Sequence, residues 1–146
     1  VKAPSGSYEN GGRGANGIKL QADIKNIDIN NTDIKDISGG WGYGTVLTPA
    51  SSESGLPKDV ALNGVSINGV KATGSGLSSV GVGIDSNDGG PESNSKEVAD
   101  PDELTFADTG IQNVDIGLLN KNTNKTLSKP SGVSFSSVST EVSNPE

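Results

Sequence analysis

The stretch NIDINNTDIKDI, from Asn26 to Ile37, sets isoleucines against aspartates and asparagines at nearly alternate positions. Branched residues crowd a helix, and Asn and Asp compete for its backbone hydrogen bonds. A helix would gather Ile27, Ile34 and Ile37 near one face, but period-two alternation fits these residue types better. The stretch therefore reads as strand, with Ile pointing into a narrow core and Asp or Asn covering the solvent face.

The same logic recurs along the chain. IKNIDIN at 24–30, LNGVSIN at 62–68 and IQNVDIG at 111–117 each carry a branched residue, a small polar one, Ile, then Asn or Gly. Their starts lie 38 and 49 residues apart, so the spacing is irregular. Asparagines beside such strands are positioned to bond neighbouring backbone or one another. A first β-region opens at Ile18, a second spans Val60 to Ile84, and a third runs from Leu104 to Leu119. Asn63-Gly64 and Asn68-Gly69 read as tight turns, because both residue types tolerate positive φ. Residues 38–58 read as a Gly/Ser/Pro-rich connection, and 85–103 as an acidic loop.

Helix signals are poor throughout, since no long stretch joins helix formers to a 3.6-residue period. The expected fold class is all-β, as a β-sandwich or a short solenoid-like stack of slim strands with long polar loops and extended terminal arms. The irregular spacing leans toward the sandwich. Residues 1–17 form a Gly-rich N-terminal arm, 18–120 the β domain, and 121–146 a polar linker followed by the C-terminal strand VSFSSVSTEV.

Composition bounds the function. With 30% hydrophobic residues and a formal net charge of −7, the chain lies close to disordered compositions. The clustering of its isoleucines marks it as folded but thinly cored. Eleven basic residues are dispersed, without a Lys/Arg stripe or interleaved aromatics, so nucleic acid is not an expected partner. No apolar run approaches the ~20 residues of a membrane-spanning helix. Without Cys or His, disulfides, thiolate metal sites and His-based nucleophilic catalysis all lack their residues. GSG at 74–76 is not a nucleophile elbow, and the Gly-rich stretches match no phosphate-binding loop. Five aromatics are few for the platforms of a sugar-cleaving cleft. The chain is therefore not expected to be an enzyme, and no cofactor is expected beyond a candidate calcium ion. Opening on Val1 without an initiator Met fits a mature secreted chain, the preferred reading, and equally an excised fragment.

Three groups of residues stand out. DSNDGG offers Asp85, Asn87 and Asp88 as hard oxygen ligands for calcium in a glycine-bent turn, although an EF-hand's bidentate Glu is missing and an Asx-rich surface turn reads as well. GGWGYG places Trp41 and Tyr43 between glycines, either as a glycan- or partner-contacting loop tip or as a cap on the core. The terminal strand supplies Val133, Phe135 and Val138, which either complete the chain's own sheet or bury in a neighbouring subunit by strand addition.

VALNGVSINGV, GVGIDSNDGG and LTFADTGIQNVDIGLL resemble, in style, secreted FilA-like, pilus-associated proteins of Gram-negative bacteria, which string together Ile/Asn/Gly-rich strands. The resemblance covers roughly residues 18–120 without the family's longer serial repetition. It implies a cell-surface or filament role and carries over no catalytic residue. The expected function is thus a structural subunit of an extracellular filament, pilus-like fibre or biofilm matrix, a homopolymer assembled by inter-subunit strand addition. The other reading is a glycan- or receptor-binding module of an adhesin or phage tail fibre. A calcium-holding loop at Asp85–Asp88 would raise the melting temperature in line with RT ln(1 + [Ca²⁺]/Kd). A melting temperature indifferent to millimolar Ca²⁺ and to EDTA retires that site.

Overall fold

A computed structural model describes residues 14–49, 55–86 and 97–146. It is almost entirely β-strand: β1 Ala15–Gln21, β2 Lys25–Asn30, β3 Asp33–Gly39, β4 Gly42–Thr48, β5 Lys58–Asn63, β6 Ser66–Ala72, β7 Ser79–Ile84, β8 Leu104–Ala107, β9 Thr109–Asn120 and β10 Val133–Ser143. A single 3₁₀ turn, Pro101–Glu103, precedes β8. The all-β expectation holds.

Every ladder among the described residues is parallel. Strands pair with those about one circuit of the chain away: β1 with β4 and β4 with β7, β2 with β5 and β5 with β8, β3 with β6 and β6 with the first half of β9. The second half of β9 pairs with β7, and β10 then covers all of β9, from Val133 opposite Thr109 to Ser143 opposite Leu119. Three successive strands thus make one rung, and the next rung lies on it in register. Here we call β1, β4, β7 and the second half of β9 the first face, β2, β5 and β8 the second, and β3, β6 and the first half of β9 the third.

The corners explain the Asn/Asp punctuation. Asn26, Asn31 and Asp36 all have positive φ and follow one another at five-residue steps, as do Asp59, Gly64 and Gly69, then Asp108 and Asn113, then Gly132 and Ser137. The ladder registers align these residues into columns: Asn31, Gly64, Asp108 and Gly132 at one corner, and Asp36, Gly69, Asn113 and Ser137 at the next. Left-handed backbone suits Gly, and Asn or Asp tolerate it better than branched residues do. Asn68-Gly69 therefore lies inside β6 as a bend, not at a turn between antiparallel strands.

Between corners, the first and third residues after each bend point inward. Ile27 and Ile29, Val60 and Leu62, Val65 and Ile67, Leu104 and Phe106, and Val133 and Phe135 all join the main core cluster. Thr109 takes one such position because its hydroxyl donates to the carbonyls of Leu62 (3.0 Å) and Ala107 (3.1 Å). Asn63 Nδ2 donates to Asn30 Oδ1 at 3.0 Å from the rung below, an asparagine contact of the kind the sequence suggests.

Two expectations change. The 38–58 connection contains β4, which is buried from end to end and carries Leu47 and Val46 into the two apolar clusters. The N-terminal arm gives way to β1 at Ala15, three residues before Ile18. Both strands hide behind glycine. Gly17, Gly44, Gly81 and Gly117 stand one above another on the first face, facing Ile34, Ile67, Ile111 and Phe135 on the third. A Cβ on Gly44 would meet Ile67 Cγ2 at 2.5 Å and the carbonyl oxygen of Gly81 at 2.6 Å; one on Gly81 would meet Ile111 Cγ2 at 2.5 Å and Gly117 O at 2.6 Å. The two faces close on each other only because this column has no side chains.

Forcing a methyl into such contact costs about 1–3 kcal/mol in a core able to adjust. With backbone as the obstacle, Gly44→Ala and Gly81→Ala are expected to lose at least the upper part of that range by urea denaturation. Gly110→Ala, whose Cβ would find only Ser134 Oγ at 3.8 Å, is the control and should change stability by under ~0.5 kcal/mol. Equal costs at the three positions would refute the seam.

Candidate functional site

Among the described residues, the stack ends in strand edges that carry no further ladder. At one end, β1, β2 and β3 each carry a ladder on one side only among the described residues. Ile18, Ile24, Ile27 and Ile29 are half-buried there, packed against the main cluster from its margin. At the other end lies β10, with Val133, Phe135, Val138 and Val142 half-buried against the same cluster. The three residues singled out for assembly thus complete the chain's own third face and its bend, above Thr109, Ile111 and Val114. Their backbone edge away from β9 has no ladder among the described residues.

The two ends differ in what surrounds them. Residues 121–131 take the second-face place of the last rung without forming a strand. Leu127 enters the main core, its N–H donates to Asn144 Oδ1 at 2.8 Å, and Asn144 Nδ2 returns a bond to Leu127 O at 3.0 Å. Asn120 Nδ2 reaches both Asn144 Oδ1 (2.9 Å) and Lys125 O (2.8 Å). Lys129 Nζ lies 5.2 Å from the centroid of Phe135 and donates to Glu141 Oε2 at 2.7 Å.

The first-face strands β4, β7 and β9 end together at one corner, with Leu47, Ile84 and Asn120 opposite one another. Asp85 stands at this corner, fully buried, with its N–H donating to Leu47 O at 3.0 Å. The Tyr43 hydroxyl donates to its Oδ2, and Lys121 Nζ approaches the same oxygen at 2.9 Å. Lys121 is itself half-exposed, so the pair joins a buried carboxylate to a solvated ammonium. Of the calcium candidates, Asp85 is engaged in this way, while Asn87 and Asp88 lie outside the described residues. No group of three or more Asp, Glu, His or Cys side chains suited to a metal occurs among the described residues.

Tyr43 is 2% exposed and belongs to a second apolar cluster with Val46 and Val80, against which Trp41, Ile116 and Leu119 pack. Its ring crosses the place a Cβ would take on Gly83, and Trp41 does the same over Gly14. The glycines around these aromatics provide room for rings and do not mark a solvent-facing loop tip. Tyr43 is out of reach of a surface ligand, and Trp41 is only partly exposed.

On the second face, Asn26, Asp28, Asp59, Ala61, Asp102, Glu103 and Thr105 line a groove of about 320 Å³. The Asp59 N–H donates to Glu103 Oε2 at 3.0 Å. Beside it, Lys125 pairs with Asp100 and Asp102, each at 2.6 Å. The Lys125 ammonium and then the Asp102 N–H hold the Asp100 carboxyl below its ordinary value.

Comparison with protein-family models, with characterised proteins and with solved structures finds no match.

The buried carboxylate can be weighed directly. A neutral hydrogen bond contributes about 1 kcal/mol, and one to a charged group about 1.5–3. Tyr43→Phe is expected to lower stability within the latter range, and Lys121→Ala by a similar amount. The two should couple in a double-mutant cycle, since both act on one oxygen. Strict additivity would show that Asp85 does not link them.

Proposed function

We propose that this chain is a structural subunit of an extracellular fibre or matrix, built as a short parallel β-solenoid and joined to further copies of itself by strand addition. The solenoid is preferred to a sandwich because parallel pairing across successive circuits returns the chain to the same place on each circuit. The observation that carries the functional reading is that β1, β2 and β3 have a ladder on one side only among the described residues. Such an edge is a template for a further strand, and it runs beside Ile18, Ile27 and Ile29, which one rung leaves half-covered. Another rung laid there would satisfy the backbone and finish burying the isoleucines, the two gains that drive β-augmentation.

Other features support the same reading. The columns make one rung nearly equivalent to the next, as a repetitive stack requires. The resemblance to secreted FilA-like strand proteins points the same way, and the Cys-free, acidic, Gly-rich composition suits a solvated surface structure. Burial of Tyr43 takes away half of the contact pair on which glycan recognition would rest.

Sedimentation velocity of the full chain tests the proposal. Wild type is expected to run well above its monomer mass of 14.7 kDa. Ile27→Lys and, separately, Asp28→Pro should return it to monomer while circular dichroism stays that of a β fold. A wild-type chain that remains monomeric at the highest concentration it tolerates would sink the assembly reading.

A further inference from the structure

We propose that, where two copies of this chain join, β1 of one takes the place that residues 140–143 hold on β9 of the other. The inference deepens the assembly reading and rests on it: it names the strand that is exchanged and the latch that keeps its place.

A stack grows by whole copies only if each copy adds the same length to every face. Neighbouring strands lie ~4.8 Å apart, so each copy must bring equal numbers of layers to the three faces. This chain does not. Among the described residues the first face has five layers: β1, β4, β7, the second half of β9 and the end of β10, where Thr140 lies opposite Ile116 and Ser143 opposite Leu119. The second face has four, β2, β5, β8 and the crossing segment 121–131 that brings Leu127 into the core. The third also has four, β3, β6, the first half of β9 and the start of β10. Laying β2 and β3 of one copy on the last circuit of another therefore sets β1 on the layer that residues 140–143 already fill. Keeping both would hold the second and third faces a full strand spacing short of contact.

The two competitors are unequal. β1 buries Ala15, at 4% exposure, and Leu20, at 9%. None of residues 140–143 is buried, and Thr140 and Glu141 are exposed. β1 also carries the columns forward, since the ladder registers set Gly17 on Gly117, Ile18 on Leu118 and Lys19 on Leu119. Residues 140–143 put Glu141 over Gly117 instead. Seated between its own β4 and the other copy's β9, β1 gains a ladder on its second side. The strand it replaces has a ladder on one side only among the described residues. In the same movement β3 meets β10, with Ile34 opposite Phe135 and Lys35 opposite Ser136.

A latch holds the segment that must leave. Asn144 Oδ1 accepts from the Leu127 N–H at 2.8 Å and from Asn120 Nδ2 at 2.9 Å, and Asn144 Nδ2 donates to Leu127 O at 3.0 Å. Glu141 adds its pair with Lys129, but both side chains are about half exposed and such pairs contribute little. Freeing Asn144 is thus the step that opens the joint, and the chain's own end fills the place until a second copy arrives.

The sequence has no cysteine, so engineered thiols report the joint. Lys19→Cys with Leu119→Cys pairs the exchanged strand with β9, whereas Lys19→Cys with Ser143→Cys pairs β1 with a terminal segment that has stayed. Within one chain β4 and β7 separate residues 19 and 119, about 14 Å, well beyond the ~7 Å between Cα atoms that a disulfide spans. Any link is therefore between copies. Full-length chains are oxidised mildly and run on non-reducing gels, with circular dichroism to confirm folding.

The expected result is a ladder of linked multimers from the Leu119 pair and none from the Ser143 pair. Adding Asn144→Ala to the Leu119 pair should raise the yield at a fixed time roughly fivefold or more, the factor that one net hydrogen bond supplies. A ladder from the Ser143 pair would overturn the proposal, as would a yield that Asn144→Ala leaves unmoved. No ladder from either pair, with a cysteine-free wild type that sediments as multimers, overturns the exchange and leaves the assembly reading standing. A wild type that stays monomeric, with no ladder from either pair, retires both.

Discussion

Along the Gly17–Gly44–Gly81–Gly117 column the backbone of the first face lies directly against side chains of the third, and the rest of the fold is arranged around that contact. Where the first and third faces meet along this column, as the sides of a wedge, no depth remains for a side chain on the glycine side. Emptying one column lets Ile34, Ile67, Ile111 and Phe135 fill the wedge from the other side. This is how a chain with few aromatics still buries a continuous core. Each inward residue packs on its equivalents above and below as well as across the wedge, so modest Ile, Val and Leu side chains make a dry interior. The close packing that results is what makes an added methyl costly.

The second constraint is angular. A rung of short flat segments must bend sharply at each corner, and left-handed backbone achieves this in a single residue. The five-residue step between bends then dictates the pattern: a bend, an inward residue, an outward one, an inward one and a last outward one. This was only half legible in the sequence. The alternation of Ile27 and Ile29 or Val65 and Ile67 identified strands, and the Asn/Asp interruptions drew attention to themselves. The five-residue step stayed hidden because the bends are filled by Asn, Asp, Gly and Ser, which differ as letters and agree only in tolerating, at some cost for Ser137, a positive φ. The long connections blurred it further, by stretching the distance between equivalent rungs unequally.

Glycine misled for a related reason. In GGWGYGTVLT and GANGIKL the residue that usually marks a flexible loop marks instead a strand too tightly packed for side chains. The glycines flanking Trp41 and Tyr43 leave a loop tip and a core cap both open, and the glycines that matter are Gly14 and Gly83, which lie beneath the rings and are remote in sequence. Asp85 looked like the start of an oxygen-rich turn. Its partners, Tyr43 and Lys121, belong to the preceding and following rungs, 42 and 36 positions away, and no local motif announces them. The terminal strand was legible as a strand from Val133 and Phe135. That its partner is β9 of the same chain, in parallel and along its full length, required the rung register.

A stack of equivalent rungs has no intrinsic reason to stop, and among the described residues both of its ends are strand edges without a further ladder. Proteins with such edges must cover, charge or distort them to avoid uncontrolled pairing. Here the ends are treated unequally. At the C-terminal rung a lysine covers the last aromatic, an asparagine ties down the crossing segment, and a glutamate interrupts the glycine column. At the first rung the seam residue is Gly17, so the column itself places no side chain in the way. The asymmetry sets the two ends of the stack apart: half-buried isoleucines margin the first, and a lysine over an aromatic, paired with a glutamate, lies at the last. Between them each rung depends on its neighbour, because in a core this thin the backbone of one rung is already the wall of the next.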